Sequence, residues 1–376
     1  MKSKEPRLIR EHKAGSLLVS LSAVVAGILA GCVLLLIIGH NPVQAIRDIV
    51  YGAFSGRRRI GQTIAVATPL IFVGLSVGFA YKAGLFNIGG SGQMLVGGCV
   101  ASLWAYYGAD IPRPLYLCII VVTGMLAGAV WGGISGFLKA KFKVHEVVSS
   151  IMLNWSALWF IYEIIPAFIP DPNVNSRSAT IPNELTLRTE VLSQFFPRSY
   201  INWGIVYAVI AIVVIKIILD KTTLGFQLKA VGANGDCAEY AGIKVDRNIV
   251  VSMVIAGALA GLAGVTYYAG YSNMIYRNSM PSEGFDGIAV ALLGNSNPIG
   301  IFFSALFFSI LKAGKGSLSA SSGIPPEIAD TIIATIIYFT ATSVLFRNLW
   351  NRLFHSVYER RLGKRAAVNG SEGGEK

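Results

Sequence analysis

Long uncharged apolar runs alternate with short polar segments along this chain. Residues 16–39 form the first run, which is long enough for a helix that crosses a hydrocarbon core of ~30 Å. A cleaved signal peptide is the alternative for that run, although its apolar region usually covers only about 7–15 residues. The pattern as a whole predicts an all-α, polytopic transmembrane helix bundle. We expect about ten spans, over residues 16–39, 63–80, 86–107, 115–138, 147–169, 203–219, 248–270, 284–294, 298–312 and 327–346.

Glycine and polar residues interrupt two of the apolar regions. Residues 83–94 read AGLFNIGGSGQM, and residues 282–298 read SEGFDGIAVALLGNSNP. Because each glycine weakens a helix by about 1 kcal/mol relative to alanine, both stretches predict discontinuous segments. They follow the second and the seventh predicted spans, which indicates two inverted repeats of five spans each. Non-helical backbone at membrane depth is tolerated only beside protein or a water-filled cavity, so the two stretches predict a transport pathway.

Polar side chains in and near these stretches are candidates for contact with a solute. A carboxylate inside the membrane is costly, so Asp286 is a functional candidate unless it lies in the external loop. Asn154 either binds a solute or ties two helices together, because a buried amide needs partners. Close helix packing is the alternative for the glycines of 83–94, and an ordinary turn is the alternative for 295–298. The pathway candidates are Phe86, Asn87, Gln93, Asn154, Asp286 and Asn295.

Glycines at regular spacing elsewhere predict close helix packing rather than a pathway. Small residues four positions apart lie on one face of a helix and let a second helix approach. The two stripes are Gly124, Gly128, Gly132 and Gly136 in the fourth span, and Gly257 and Gly261 in the seventh.

Lysine and arginine are distributed unevenly between the predicted loops. The chain has 32 of them against 20 acidic residues, and only 14% of its residues are charged. Roughly two thirds of the basic residues fall on one side, which the positive-inside rule makes cytoplasmic. Three consecutive arginines, 57–59, fall on the other side. The net charge of +12 is therefore attributed to basic loops near membrane lipid, and no nucleic acid is expected as a partner.

This orientation divides the chain into predicted regions and places both termini in the cytoplasm. The regions are a basic N-terminus (1–15), a transmembrane permease domain (16–346) and a C-terminal tail (347–376), with a cytoplasmic loop at 221–247 and an external loop at 171–202. The external loop either lies across the outer mouth and meets a partner or is simply solvated. Residues 41–53 predict a short external amphipathic helix. In the cytoplasmic loop, Asp236 is expected to cap a short helix that Gly242 ends.

Motifs for catalysis and for nucleotide or metal binding are absent from the sequence. It contains no GxxxxGK[ST], HExxH, CxxC or GxSxG pattern, so we expect a transport subunit rather than an enzyme, with no cofactor or metal of its own. The four cysteines show no paired spacing.

A rival hypothesis is a secondary transporter driven by an ion gradient, in which Glu146, Glu163 and Asp286 would couple the ion.

Four ordered stretches carry a resemblance to a known family. They are AGLFNIGGSGQMLVGG, KVHEVVSSIMLNW, LKAVGANGDCAEYAGIKV and SMVIAGALAGLAG followed by GFDGIAVALLGNSNPIG, within residues 60–345. Together they resemble permease subunits of bacterial ABC importers for nucleosides, simple sugars such as ribose, riboflavin and branched-chain amino acids. The nucleoside branch is the most similar. Departures are Ser91, where the family often has an acid, and His145, where asparagine is common.

The resemblance implies a site and a set of partners. Phe86, Asn87 and Gln93 match a translocation-path motif. The loop around Ala238 corresponds to the coupling helix that sits on an ATP-hydrolysing subunit. Implied partners are two copies of that subunit, which bind ATP and Mg, a second similar permease and an external binding protein or lipoprotein, at the bacterial plasma (inner) membrane. The coupling-loop candidates are Gly232, Ala233, Asn234, Ala238, Glu239 and Gly242.

Overall fold

The computed structural model describes residues 13–108 and 111–342, and within these residues the chain is helical, without a β-strand. The basic N-terminus and the C-terminal tail predicted above lie largely outside the described residues. The α-helices are α1 (Lys13–Ile37), α2 (Pro42–Phe54), α3 (Arg57–Lys82), α4 (Gly90–Tyr107), α5 (Arg113–Phe142), α6 (Glu146–Phe168), α7 (Glu190–Phe195), α8 (Gly204–Lys221), α9 (Thr223–Ala233), α10 (Gly235–Tyr240), α11 (Val245–Thr266), α12 (Glu283–Leu293), α13 (Pro298–Ser322) and α14 (Pro326–Ala341). A 3₁₀ turn covers Asn183–Leu185, and a π-helix (Tyr267–Ser272) continues α11.

Six helices in the described part of the chain are long and apolar enough to cross a bilayer. They are α1, α3, α5, α6, α11 with its π-helix, and α13. This confirms the predicted class, an all-α polytopic membrane protein. The count of ten crossings and the inverted repeats stay predictions, because α4, α8 and α14 have only 18, 18 and 16 residues.

Several helices begin or end at other residues than the predicted spans, and two differences are informative. The third span was expected from residue 86, but α4 begins at Gly90, because residues 83–89 are not helical. The ninth span was expected to end at Lys312, but α13 continues to Ser322. The prediction ended this span where Lys312 and Lys315 interrupt the apolar sequence. In the structure both lysines lie inside α13, and each pairs with a carboxylate.

The core of the bundle is built around α3 and α11. In the most apolar part of α3, 89% of the residues are buried inside the chain, compared with 22% for α1. The predicted glycine stripes pack α11 against α5. A Cβ on Gly128 would lie 2.6 Å from the Gly261 Cα, and a Cβ on Gly257 would lie 3.0 Å from the Gly132 Cα. These glycines therefore allow backbone-to-backbone packing, as the sequence predicted.

Two short helices show whether the sequence predicted their first and last residues correctly. The helix expected at 41–53 is confirmed as α2, where the Asn41 side chain accepts hydrogen bonds from the N–H groups of Val43 and Gln44. The short helix predicted in loop 221–247 is also present, but its predicted cap was wrong. Asn234 caps α10, since its backbone is extended and its side chain accepts from the Cys237 N–H. Gly242 has φ +81° after α10, in the left-handed region that favours glycine.

The two ends of the bundle are marked by different loops. At the α10 end, Gly232 packs against the backbone of Ala83 and Gly84 after α3. At the opposite end, loop 171–202 is held to the chain that follows the π-helix. There the Ser178 N–H donates to the Ile275 carbonyl at 2.8 Å.

Candidate translocation site

Residues 83–89, the first interrupted segment, fold around one buried amide. The Asn87 Nδ2 donates to Ser76 Oγ at 3.0 Å and to Gln93 Oε1 at 2.9 Å. The Asn87 Oδ1 accepts from the Gly89 N–H and from Gln93 Nε2. This closed network pairs the two side-chain amides with each other and satisfies one backbone group of the non-helical segment, the Gly89 N–H.

Asn154 reaches the same segment from α6. Its Oδ1 accepts from the Gly92 N–H at 2.8 Å, its Nδ2 donates to the Ile88 carbonyl at 3.0 Å, and the residue is only 2% exposed. These bonds tie two elements together, which was one of the two alternatives for this residue. Phe86 is half-buried in the loop. Contact of Phe86, Asn87, Gln93 or Asn154 with a solute stays a prediction.

The second interrupted segment approaches the first. Most of the predicted stretch 282–298 forms the regular helix α12, and the non-helical backbone lies before it, at residues 273–282. We therefore call residues 273–282 with the first turn of α12 the second interrupted segment. In the first turn of α4, the Ser91 Oγ donates to the Pro281 carbonyl at 3.1 Å. A Cβ on Gly284, in the first turn of α12, would lie 2.5 Å from the Ser91 Cα. The fold therefore brings together the two stretches that the sequence singled out.

Charged residues gather beside this contact, and they are partly buried except for Asp330, which is exposed. The Lys312 ammonium, near the middle of α13, pairs with Asp286 and, at 3.4 Å, with Glu283. Lys315 pairs with Asp330 on α14 at 2.6 Å. Asp286 thus lies in the first turn of α12 rather than in an external loop. Sequence reasoning missed Glu283, Lys312, Lys315 and Asp330, although charges at the edge of an apolar run were a usable signal.

A half-open cavity of about 340 Å³ borders this charged cluster. Its walls come from α3, the π-helix, the start of α12, α13 and α14. The lining residues are Val66, Pro69, Tyr267, Tyr271, Ser282, Glu283, Lys312, Lys315, Asp330 and Ile333. Among the described residues, the second interrupted segment thus opens onto a cavity, whereas the polar side chains of the first are buried in their own network.

Asn295, the remaining pathway candidate, lies in the turn between α12 and α13. Its φ is +53°, that of Ser296 is +49°, and Asn297 caps α13 by accepting from the Ile299 N–H at 3.0 Å. Ser296 packs near Gly78 of α3, close to the α10 end. About 14 Å of helix separate Asn295 from Asp286 at 1.5 Å per residue. The position fits an ordinary turn, and a role in the pathway stays a prediction.

One face of α10 is buried and the other is exposed. Ala238 is buried, whereas Ala233 and Glu239 are exposed and Tyr240 is 95% exposed. Gly232 connects this loop to the first interrupted segment, because a Cβ there would lie 2.8 Å from the Gly84 nitrogen. The end of α9, just before α10, is therefore in direct backbone contact with residues 83–89.

Loop 171–202 is anchored by two arginines. The Arg188 guanidinium donates to the carbonyls of Gly270 and Tyr271 at 2.8 Å, beside the cavity wall. In the second anchor, Asp171 accepts from the Asn173 N–H at 2.9 Å and from Arg177 Nε at 2.8 Å. The Asn173 N–H, followed by Arg177, lowers the pKa of Asp171 below its ordinary value, because both interactions favour the carboxylate.

Comparison with known proteins identifies the class of this fold. Residues 59–341 match the family described as branched-chain amino acid transport system / permease component. The nucleoside ABC transporter permease protein NupB of Lactococcus lactis subsp. cremoris is 42% identical over 89% of this chain and 93% of its own length. The guanosine ABC transporter permease protein NupP of Bacillus subtilis is 38% identical over 90% and 96%. No solved structure matches.

The chain is thus a multi-pass membrane permease. It belongs to the family of branched-chain amino acid transport system permease components, and within that family it is similar to permease proteins of ABC transporters. Such a chain is a transport subunit and not an enzyme, as the sequence predicted.

Proposed function

We propose that this chain is a permease subunit of an ATP-driven importer of nucleosides. The observation that carries the proposal is the 42% identity to NupB over nearly the full length of both chains. NupP, whose name specifies guanosine, supports the same class of solute at 38% identity. A glucose permease of Haloferax volcanii, TsgB13, is more distant at 29%.

A second permease completes the proposed pathway. Two permeases of Lactococcus lactis, NupB and NupC, resemble this chain at 42% and 24% identity, and NupP and NupQ of Bacillus subtilis do so at 38% and 26%. Each organism thus has one close and one distant relative, which favours a pair of unlike permeases. ATP and Mg would be bound by separate ATPase subunits, and an external binding protein or lipoprotein would deliver the solute. The assembly would lie in the bacterial plasma membrane, with both termini of this chain cytoplasmic.

The contacts in the structure suggest how ATP hydrolysis would act on the pathway. The ATPase subunit would bind the exposed face of α10 and move it. Gly232 would transmit this motion to Gly84 and hence to the first interrupted segment. From there the Ser91–Pro281 contact would carry it to the second interrupted segment and the cavity. The two segments would then separate and close alternately towards the two sides of the membrane.

Uptake by the complete assembly in proteoliposomes tests the proposal. With ATP inside and the binding protein outside, we expect accumulation of labelled inosine that requires ATP, this chain and the second permease. Accumulation of glucose or ribose instead would reassign the solute. Uptake by this chain alone that collapses with an ionophore and ignores ATP would instead establish the rival ion-coupled transporter.

A further inference from the structure

The cavity beside α12 combines an aromatic wall with a set of charged hydrogen-bonding groups. Tyr267 and Tyr271, one turn apart on the π-helix, stack with ring centroids 5.6 Å apart at an angle of 29°. The Tyr271 hydroxyl accepts a hydrogen bond from Gln62 Nε2 at 3.0 Å, which fixes the orientation of this ring. Glu283 and Lys312 line the same cavity. A lining that combines an aromatic surface with polar groups suits a ligand that has a flat ring and hydroxyl groups.

Placing the charged side chains of this cavity between helices costs free energy, which is expected only where they have a function. Lys312 lies near the middle of α13, and Glu283 begins α12 after ten non-helical residues. Ionisable side chains on membrane-spanning helices are expensive and mark pathways for polar solutes. Ser282 and Glu283, where the irregular backbone meets α12, line the cavity, and irregular backbone within a membrane is tolerated where it lines a cavity.

The charge balance selects the chemical class of the ligand. Three carboxylates, on Glu283, Asp286 and Asp330, face two ammonium groups, on Lys312 and Lys315. The cluster is therefore negative overall, and both lysines are already paired. A phosphorylated ligand would meet an excess of acid, whereas the hydroxyl groups of an uncharged ligand would donate to the carboxylates.

We infer that this cavity is a solute-binding site of the pathway, in which a nucleobase packs on the outer face of the Tyr267–Tyr271 stack and Glu283 accepts hydrogen bonds from the sugar hydroxyls. The inference rests on the proposed function and adds the contact residues. It predicts that nucleosides bind and that nucleotides and free ribose bind less well. The 340 Å³ of space lies at the lower end of the range for small-molecule sites.

Photolabelling of the complete transporter in nanodiscs, without the binding protein, tests the inference. With 8-azidoadenosine as the probe, we expect labelled peptides from residues 267–283. Adenosine should compete for labelling, and AMP and ribose should compete at least about tenfold less well, a difference of ~1.4 kcal/mol. Labelling confined to residues 83–94, or equal competition by AMP, would overturn the inference.

Substitutions separate stacking from a structural role. Tyr271→Leu removes the ring and should weaken adenosine binding by about 5- to 100-fold. Tyr271→Phe keeps the ring and should stay within about twofold of the unmodified transporter. Tyr276→Leu, an exposed tyrosine outside the cavity lining, is the matched control. Glu283→Gln should also weaken adenosine binding. If Tyr271→Leu misassembles, this variant and the positions of the labelled peptides still test the inference.

Failure of the inference is distinguishable from failure of the proposed function. ATP-dependent inosine uptake with labelling elsewhere would overturn only the cavity assignment. Absence of nucleoside uptake by the unmodified assembly, with another solute transported, would overturn both.

Discussion

The Ser91 hydroxyl donates a hydrogen bond to the Pro281 carbonyl at 3.1 Å, although 190 positions separate the two residues. Ser91 lies in the first turn of α4, just after the first interrupted segment, and Pro281 ends the extended part of the second. The contact therefore joins the two places where the helices of the bundle are broken. It also accounts for the small residue at 91, because a larger side chain would displace the start of α12.

A methyl group at Gly284 should disturb this junction. We expect Gly284→Ala to destabilise the permease by about 1–3 kcal/mol, because the new Cβ would overlap the backbone of Ser91. The melting temperature of the purified assembly measures the effect. Gly316→Ala is the matched control, since a Cβ there meets nothing within 4 Å. Equal melting temperatures for the two variants would contradict the tight packing described at Gly284.

The buried amide network around the first segment should behave as one unit. Asn87→Leu leaves Gln93 and the Gly89 N–H without their partner, and each unsatisfied buried group costs about 1–3 kcal/mol. Gln93→Leu should cost a similar amount, and the double variant should cost clearly less than the sum of both. Thermal unfolding of the three variants gives this double-mutant cycle. Asn183→Ala, at an exposed position of loop 171–202, should have little effect. Additive losses would refute the network.

Tyr240 should matter for coupling and not for folding. It is 95% exposed, so Tyr240→Ala removes a large contact surface without opening a cavity in this chain. We expect unchanged melting and a several-fold loss of transport-coupled ATP hydrolysis, with Tyr240→Phe close to the unmodified protein. Full coupling in the alanine variant would show that the ATPase subunit does not bind this face of α10.

The anchor of loop 171–202 at Asp171 should be sensitive to acid. Its pKa lies below the ordinary value of 3.8 in the folded protein, because the Asn173 N–H and then Arg177 favour the carboxylate. A carboxyl group with a lowered folded-state pKa contributes stability above its unfolded-state pKa and loses it as the pH falls through the lower value. Amide hydrogen exchange at 171–178, corrected for the intrinsic rate at each pH, should therefore show constant protection near neutrality. Protection should decrease below the unfolded-state pKa.

Asp171→Asn provides the control for this pH dependence. The amide still accepts a hydrogen bond from Asn173, but it carries no charge and does not titrate. Its exchange profile should be flat across the same acidic range. An acid-induced loss of protection of the same size in this variant would assign the effect to another group.

Local signals in the sequence were sufficient for elements that depend on near neighbours. The Asn41-Pro42 pair marks the start of α2, and the glycine stripe at Gly124, Gly128 and Gly132 marks a close helix crossing. The cap of α10 was harder, because Asn234 and Asp236 both suit an N-cap. Only the extended backbone at Asn234 decides between them.

Features that depend on distant partners were not predictable in the same way. Lys312 ended the apolar run in the sequence, yet α13 continues because Glu283 and Asp286, on another helix, neutralise that lysine. The two interrupted stretches were recognisable by their glycines. Their contact with each other, and the cavity behind only the second one, required the packing of α4, α12 and α13.

The central claim is that the two interrupted segments must separate for a solute to pass. A reversible cross-link between Ser91→Cys and Pro281→Cys, in a chain whose four native cysteines are replaced by serine, tests it most directly in proteoliposomes that contain the complete transporter. We predict that the cross-link stops ATP-dependent inosine uptake and that reduction restores it, with either single-cysteine variant unaffected by oxidant. Undiminished uptake through a fully cross-linked transporter would contradict the claim.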